Sequence, residues 1–381
     1  MKSQSLRFIL LCVGFSVGSC FAGKCLADIR FTRENASAID QIVEQGIADG
    51  QMSGAVVLVA NKDQILFEKA YGNRLIEQTS EPMTIDTLFD LASITKPVAT
   101  ATSVMHLVQQ KKIDLNRPVS QYLPEFKGNG KESILVSELL LHTGGLIPDN
   151  SLRDYQQGPD LAWTRICELG MSAKRGERFM YSDVGFIVLG KLVERVSGET
   201  LDDFSRNKIF EPLAMTETGF LPNQELKLKS AATEKRDNRW MRGEVHDPRA
   251  YLLGGIAGHA GLFSTAKDLA KFGQSMLHRG KRHPQVMNEE TFQLMIQPRE
   301  VPRGTRTYGW DHQSPYSSNR GSTLSEEAFG HGGFTGTVLW IDPAKEIVFM
   351  FLSSRLHPDG KGSVNSLAGK IATLIGEIHP R

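Results

Sequence analysis

Cysteine is scarce in this chain. Four occur among 381 residues, and three of them, Cys12, Cys20 and Cys25, crowd the N-terminus. Cys167 stands alone in the body of the chain, so it has no partner for an internal disulfide, and no C-x-x-C pair offers a metal site. Nothing in its sequence context marks an activated thiolate, and it reads as a buried filler. Charge of one sign is also lacking. Lys and Arg number 44 against 43 Asp and Glu, for a net charge of +1, which excludes the basic face expected of a nucleic-acid binder. Beyond the N-terminus no apolar run is long enough to cross a membrane. The ten histidines are scattered, with no His/Asp/Glu cluster at metal-ligand spacing, so neither a metal nor another cofactor is expected. Internal repeats and low-complexity linkers are missing too, which argues for two lobes of one unit over two tethered domains. Glycine, by contrast, is abundant, with 36 residues. That suits a site walled by close backbone approaches.

The N-terminus has the pattern of an export leader. Lys2 and Arg7 precede the short apolar run Phe8–Phe15, which is too brief to span a bilayer. Residues 1–27 read as a signal peptide, with two processing routes open. Val17-Gly18-Ser19-Cys20 resembles a lipobox that would leave Cys20 lipidated. Cleavage after Ala22 or Ala27 would release a soluble protein. Both routes imply an exported protein, periplasmic or secreted; the first alone leaves a membrane contact, a lipid anchor on Cys20.

The hydrophobic pattern places a helix over 36–50 and a hairpin over 53–72, in which Ala55–Ala60 is a buried strand. A helix beginning at Ser93 follows, with Val98, Ala101, Met105 and Val108 on its core face, and Pro97 removes one donor from its first turn. Residues 148–237 read as mainly helical. Gly254–Phe263 is a glycine-rich wall, and Ser264 or Thr265 caps a helix over 266–278. Tyr308–Trp310 reads as strand. Gly336–Asp342 and Glu346–Leu352 form a hairpin, and 364–378 is a closing helix. Strands at both ends imply a single α+β domain over 36–378: an antiparallel sheet built from the two termini and flanked by helices, with a mainly helical lobe inserted at about 100–290.

Ser93-Ile94-Thr95-Lys96 carries the chemistry. A serine in a first helical turn lies near unpaired N–H groups, and a lysine three residues on points from the same face. The pair supplies an amine to a hydroxyl nucleophile that has no histidine base. The same spacing recurs at Ser205…Lys208, read as a solvated helical face, and at Ser264…Lys267, read as a helix cap, so the tetrad alone decides nothing. It needs a second proton carrier and a facing strand. Tyr181-Ser182-Asp183 offers a phenol whose pKa a neighbouring ammonium would lower. Gly330-His331-Gly332-Gly333-Phe334 offers a strand along which substrate backbone can lie. His142, before two glycines, reads as a helix C-terminal cap. Asp183 is either a helix N-cap or part of the site wall, and His259 either lines the cleft or braces its loop.

These motifs, with Leu140–Leu146 and Gly258–Thr265, occur in the order and separations of the serine β-lactamase-related hydrolases. The chain resembles the branch holding class C β-lactamases, D-alanyl-D-alanine carboxypeptidases and related esterases, with their transpeptidase-like fold. The resemblance implies that Ser93 is acylated and that Lys96 and Tyr181 share the proton work. It implies an oxyanion hole from the N–H groups of Ser93 and Phe334, and places His331, Gly332, Gly333, Asp183 and His259 against the substrate. Two positions depart from the usual pattern: Asp183 stands where asparagine is frequent and His331 where lysine is frequent, which weakens the cationic pull on a substrate carboxylate. The expected substrate is a peptidoglycan peptide of D-Ala-D-Ala type, or a small amide or ester. A β-lactamase or an esterase of the same fold is the alternative. A non-catalytic envelope peptide-binding protein is a further one, and the intact Ser93, Lys96 and Tyr181 set speaks against it.

Overall fold

The computed structural model describes residues 31–378; the leader, with Cys12, Cys20, Cys25 and both processing routes, lies outside the described residues. The first helix, Arg33–Ala48, begins at a capping box in which Thr32 Oγ1 accepts the Asn35 N–H at 3.2 Å and Asn35 Oδ1 accepts the Thr32 N–H at 2.9 Å. The expected hairpin follows as β1 (Gly54–Ala60) and β2 (Ile65–Leu75). β1 is buried along its whole length because both of its faces are covered. Val56, Leu58 and Ala60 enter the larger core, whereas Ala55, Val57 and Val59 pack with Ile39, Val43, Ala368 and Ile371 of the first and closing helices.

The remaining strands, in chain order, are β3 (Glu81–Pro82), β4 (Phe89–Asp90), β5 (Gly219–Phe220), β6 (Ala232–Arg236), β7 (Arg239–Arg242), β8 (Leu262–Ser264), β9 (Arg299–Val301), β10 (Gly304–Arg306), β11 (Asp311–Gln313), β12 (Phe329–Gly333), β13 (Thr337–Asp342) and β14 (Ile347–Ser353). Among the described residues nine of the fourteen strands, β1 and β2 included, form one antiparallel sheet in the order β3-β2-β1-β14-β13-β12-β11-β10-β9. The two chain ends meet where β1 pairs β14, with Leu58 opposite Met350. The α+β arrangement expected from the sequence is therefore present, with helices on the sheet and a closing helix, Asn365–Ile378.

Three local expectations change. The serine helix is not one regular α-helix: a 3₁₀ turn, Ala92–Ile94, runs into a wide π-type turn, Lys96–Ala101, and only Thr102–Gln109 is α-helical. Pro97 has no N–H to give the preceding turn, so the backbone bonds re-form at longer spacing. The Pro97 carbonyl accepts the Thr102 N–H at this longer spacing and also Thr102 Oγ1 at 2.8 Å. Tyr308–Trp310 is not strand but the link between β10 and β11. Gly309 there has φ +83° and donates to the Leu140 carbonyl, which takes it out of the ladder. Residues 148–237 hold helices at Pro159–Glu168, Asp183–Ser197, Leu201–Ser205 and Gln224–Leu228, together with β5 and β6. β5 pairs β8, which also pairs β4 just ahead of Ser93.

Candidate active site

The segment before Ser93 is bent sharply. Ala92 has φ +46°, a conformation an L-residue takes at a steric penalty. Asp90 holds it there, for its Oδ1 accepts the Ala92 N–H at 2.8 Å and its Oδ2 accepts the His246 N–H at 2.7 Å. The bend leaves Ser93 partly exposed on a 3₁₀ turn while Lys96 is wholly buried behind it. Lys96 Nζ donates to Ser93 Oγ at 3.0 Å and to the His259 carbonyl at 3.0 Å, and lies 2.6 Å from Asp183 Oδ1. The glycine wall makes the second contact possible. A Cβ on Gly258 would fall 2.0 Å from the Phe186 carbonyl, so only glycine lets this segment reach the lysine. Thr100 Oγ1 ties the Gly258 carbonyl down at 2.7 Å.

Tyr181 arrives from the loop before the helix Asp183–Ser197. Lys96 Nζ sits 4.9 Å from its ring centroid, and its phenol faces both Ser93 and Lys96. The loop is set by His142, which caps the short helix Val136–Leu140 with φ +57°, as its glycine-flanked position suggested. His142 Nδ1 accepts the Ser182 N–H at 3.0 Å and its ring stacks on Tyr181 at 4.4 Å. The N-cap here is Ser182, whose Oγ accepts the Gly185 N–H at 3.0 Å. Asp183 is thereby released from capping and turns to Lys96.

Two protonation states follow. Burial disfavours the Lys96 ammonium, but Asp183 and the Tyr181 oxygen outweigh it and hold its pKa above the ordinary lysine value. Burial pushes the Tyr181 phenol up by more than Lys96 pulls it down, so the lowering expected from a neighbouring ammonium is reversed in net effect. The resting site thus holds an ammonium and a neutral phenol.

β12 closes the far side. Thr335 Oγ1 donates to the Asp90 carbonyl at 2.7 Å and Thr337 Oγ1 to the Leu91 carbonyl at 3.1 Å, which fastens the β12–β13 turn to the segment carrying Ser93. Gly333 is required at this junction, since a Cβ would meet Leu91 O at 2.4 Å. The Phe334 N–H has no acceptor among the described residues. His331 is buried, and Nδ1 hydrogen bonds to the Gly332 carbonyl at 2.8 Å. A carbonyl only accepts, so Nδ1 carries the proton and Nε2 the lone pair. Burial first, then Arg306 and Lys96, push the His331 pKa down to about 3, and the ring is neutral.

His259 does both things the sequence left open. Its buried ring bonds Asp247 through Nε2 at 2.9 Å, and its carbonyl holds Lys96. Asp183, Asp247 and His259 bring ligand atoms within 4.8 Å of one another. The cation among them is Lys96, and Asp247 Oδ1 already accepts the Arg249 and Ala250 N–H groups as a helix cap. Cys167 is free and half-buried, and burial raises its thiol to about 12, far from a reactive thiolate.

Two cavities, of about 540 and 620 Å³, open on either side of Ser93 and share Tyr181, Tyr316 and Phe334. Arg306, Asp247, Tyr316 and Asn319 belong to these walls and were not singled out from the sequence. Asp247-Pro248 had a helix-start signature; Arg306 had none.

A family model described as Beta-lactamase matches residues 39–373. An N-acetylmuramyl-L-alanine amidase of Bacillus subtilis (strain 168) is 34% identical over 366 residues, covering 86% of this chain and 82% of the relative. An Escherichia coli (strain K12) protein provisionally named D-alanyl-D-alanine carboxypeptidase is 31% identical, covering 94% of this chain and 92% of that one. Among solved structures, a penicillin-binding protein homolog from Caulobacter crescentus superimposes with a TM-score of 0.72 at 19% identity, covering 91% of this chain and 98% of that chain. With the transpeptidase-like fold and the ordered motifs, these matches lead to one conclusion: the chain belongs to the beta-lactamase family of serine hydrolases.

Proposed function

We propose that the protein is an exported envelope hydrolase that cleaves an amide bond in peptidoglycan-derived peptides through an acyl-enzyme on Ser93. The observation that carries this reading is the contact of a fully buried Lys96 Nζ with Ser93 Oγ, 3.0 Å, at the junction of two cavities. In the resting site both candidate bases hold protons. The reactive form is one proton poorer, with a Tyr181 phenolate stabilised by the Lys96 ammonium. The Ser93 proton passes to this pair as Oγ attacks the carbonyl. The N–H groups of Ser93 and Phe334 receive the developing oxyanion. The pair then returns the proton to the departing amine, and water resolves the ester. Asp183 fixes the lysine and keeps it charged.

A D-Ala-D-Ala-type peptide is the first substrate class, supported by the named Escherichia coli relative. The second is the amide joining a muramyl residue to L-alanine, supported by the Bacillus subtilis relative. The half-exposed rings of Tyr316 and Phe334, which line both cavities, favour the second class, for they offer flat apolar faces to a sugar ring. Mass spectrometry of diacetyl-Lys-D-Ala-D-Ala and of N-acetylmuramyl-L-Ala-D-isoGln, each incubated with wild type and Ser93→Ala, tests the reading. Ser93-dependent release of D-Ala or of the L-Ala dipeptide supports it; release from neither substrate, or release unchanged in Ser93→Ala, overturns it.

A further inference from the structure

Ser93 and Lys96 stand on one helical segment, but Tyr181 has no regular structure beneath it. Residues 169–182, between the helices Pro159–Glu168 and Asp183–Ser197, form neither helix nor strand. A loop fixes a side chain less closely than a helix or strand does, so a proton carrier placed on one needs an external hold. His142 grips this loop on both sides of the tyrosine. Its carbonyl accepts the Met180 N–H at 2.9 Å, and its Nδ1 accepts the Ser182 N–H at 3.0 Å. Between these two bonds its ring lies on the Tyr181 ring, with centroids 4.4 Å apart and planes inclined by 28°. The other rings against Tyr181 are farther off, Tyr316 at 5.0 Å and His331 at 6.0 Å.

The imidazole is itself held. It is buried, with Phe186 at 5.0 Å and Phe179 edge-on at 6.1 Å. Burial first, then the fully buried Arg306 and Lys96, keep its pKa well below the ordinary histidine value, so the ring is neutral. An N–H donates only to a lone pair, so Nδ1 is the bare nitrogen and Nε2 carries the proton. Nε2 has no hydrogen-bond partner among the described residues, which leaves the Ser182 N–H as the polar contact that orients the ring. The place of His142 after the helix Val136–Leu140, at φ +57°, does not require any of this. Glycine or asparagine would end that helix at least as well, and neither would put a ring on Tyr181.

We propose that His142 is the positioning residue of Tyr181: through the Ser182 bond and the ring stack it sets the phenol against Ser93 and Lys96, and it governs proton transfer without touching substrate. The inference rests on the reading that Tyr181 shares the proton work with Lys96. A proton carrier displaced by about 1 Å can lose about 10²-fold in rate, so a residue that only places the phenol still weighs on kcat.

Two substitutions, each made with Tyr181 present and with Tyr181→Phe, test it in steady-state hydrolysis of 4-nitrophenyl acetate corrected by Ser93→Ala. His142→Gly removes acceptor and ring while easing the positive φ. His142→Asn accepts the same φ and offers Oδ1 to the Ser182 N–H, without the ring. The expected result with Tyr181 present is a fall in kcat of about 10–100-fold for His142→Gly, with KM within about twofold, and a smaller fall for His142→Asn. With Tyr181→Phe both substitutions should cost less than about twofold, because no phenol is left to place. Full kcat in His142→Gly overturns the proposal and leaves a helix cap only. A loss that is the same in both backgrounds, or that falls on KM alone, also overturns it. If His142→Gly does not fold, His142→Asn decides by the same comparison of backgrounds. The two readings fail differently. An unchanged kcat in Tyr181→Phe, or no Ser93-dependent turnover, removes the shared proton work and this inference with it. A large loss in Tyr181→Phe beside an active His142→Gly removes the inference alone.

Discussion

Ser93…Lys96 and Ser264…Lys267 have the same spacing and opposite surroundings. At the first, the lysine is wholly buried and the serine faces a cavity. At the second, the serine is wholly buried, hydrogen bonded to Thr218 Oγ1 at 2.6 Å, and the lysine lies 46% exposed on the surface. Its neighbour Thr265 caps the helix Ala266–Leu277, as one of the two expected residues. Ser205…Lys208 repeats the inversion: Lys208 is exposed, but Ser205 is buried on its helix and not on a solvated face. Burial of the amine is what separates the site from its copies. An exposed ammonium keeps its water, whereas a buried one must find an acid, a carbonyl and a hydroxyl.

The sharpest break of this comparison is substitution of both copies. Ser93→Ala and Lys96→Met should each lower kcat/KM by about 10³-fold or more. Ser264→Ala and Lys267→Met should leave it within about twofold, with Ser264→Ala losing about 1 kcal/mol of stability. Equal losses at both copies in steady-state assays would refute the distinction. Tyr181→Phe comes next: kcat should fall about 10²–10⁴-fold, the range for one proton-transfer group, with little change in KM.

Asp183→Asn tests the acid that lies 2.6 Å from the buried amine, where the exposed Lys267 has Glu68 at 3.6 Å. Removing the carboxylate weakens the hold on the Lys96 ammonium and relieves repulsion of a Tyr181 phenolate, so both pKa values fall. The alkaline-rising limb of kcat/KM should move to lower pH, and a pH–rate profile that stays in place would show that Asp183 does not govern the pair. Gly258→Ala should destabilise the fold by about 1–3 kcal/mol through its clash with the Phe186 carbonyl. It should also reduce activity by displacing the His259 carbonyl from Lys96, whereas Gly219→Ala, with open space around the added carbon, should do neither.

The smallest effect concerns acid stability. His106 and His357 are held to about 4 and His331 to about 3, all chiefly by burial. The unfolded chain binds these protons first, near the ordinary histidine value, so their contribution is complete above about pH 6.5 and is lost progressively toward pH 4 and below. The melting temperature should fall over that window. His106→Gln, away from the cleft, should flatten the fall slightly, and an unchanged slope would exclude His106 from it.

Much of the frame was legible in sequence because it rests on local periodicity. β1 reads as a continuous apolar run and β13–β14 as a hairpin, and the structure buries β1 and β14 along their whole lengths. His142 before two glycines read as a helix end. Pro97 was recognised as a missing donor, although the sequence did not show that the helix would answer by widening its turn. Asp183 could not be assigned, because Ser182 beside it is an equally good cap and only the folded loop shows which of the two turns inward. The sign of the Tyr181 shift reverses in the fold for a related reason: a neighbouring ammonium is visible in a motif, but the desolvation that outweighs it is not. Arg306 left no trace in the sequence, since a single arginine on a short strand is ordinary until the fold buries it.

What the sequence determined by itself is the set of reacting groups and their order along the chain: Ser93 and Lys96, then Tyr181, then His331-Gly332-Gly333. Local geometry suffices for this, because three residues of a helical turn bring a hydroxyl and an amine to one face. What only the tertiary structure decided is the state of those groups and the charge they face. Protonation and unpaired donors depend on how much water each atom has lost, and that is fixed by residues more than a hundred positions apart: Lys96 against His259, and the segment of Ser93 against Thr335 and Thr337.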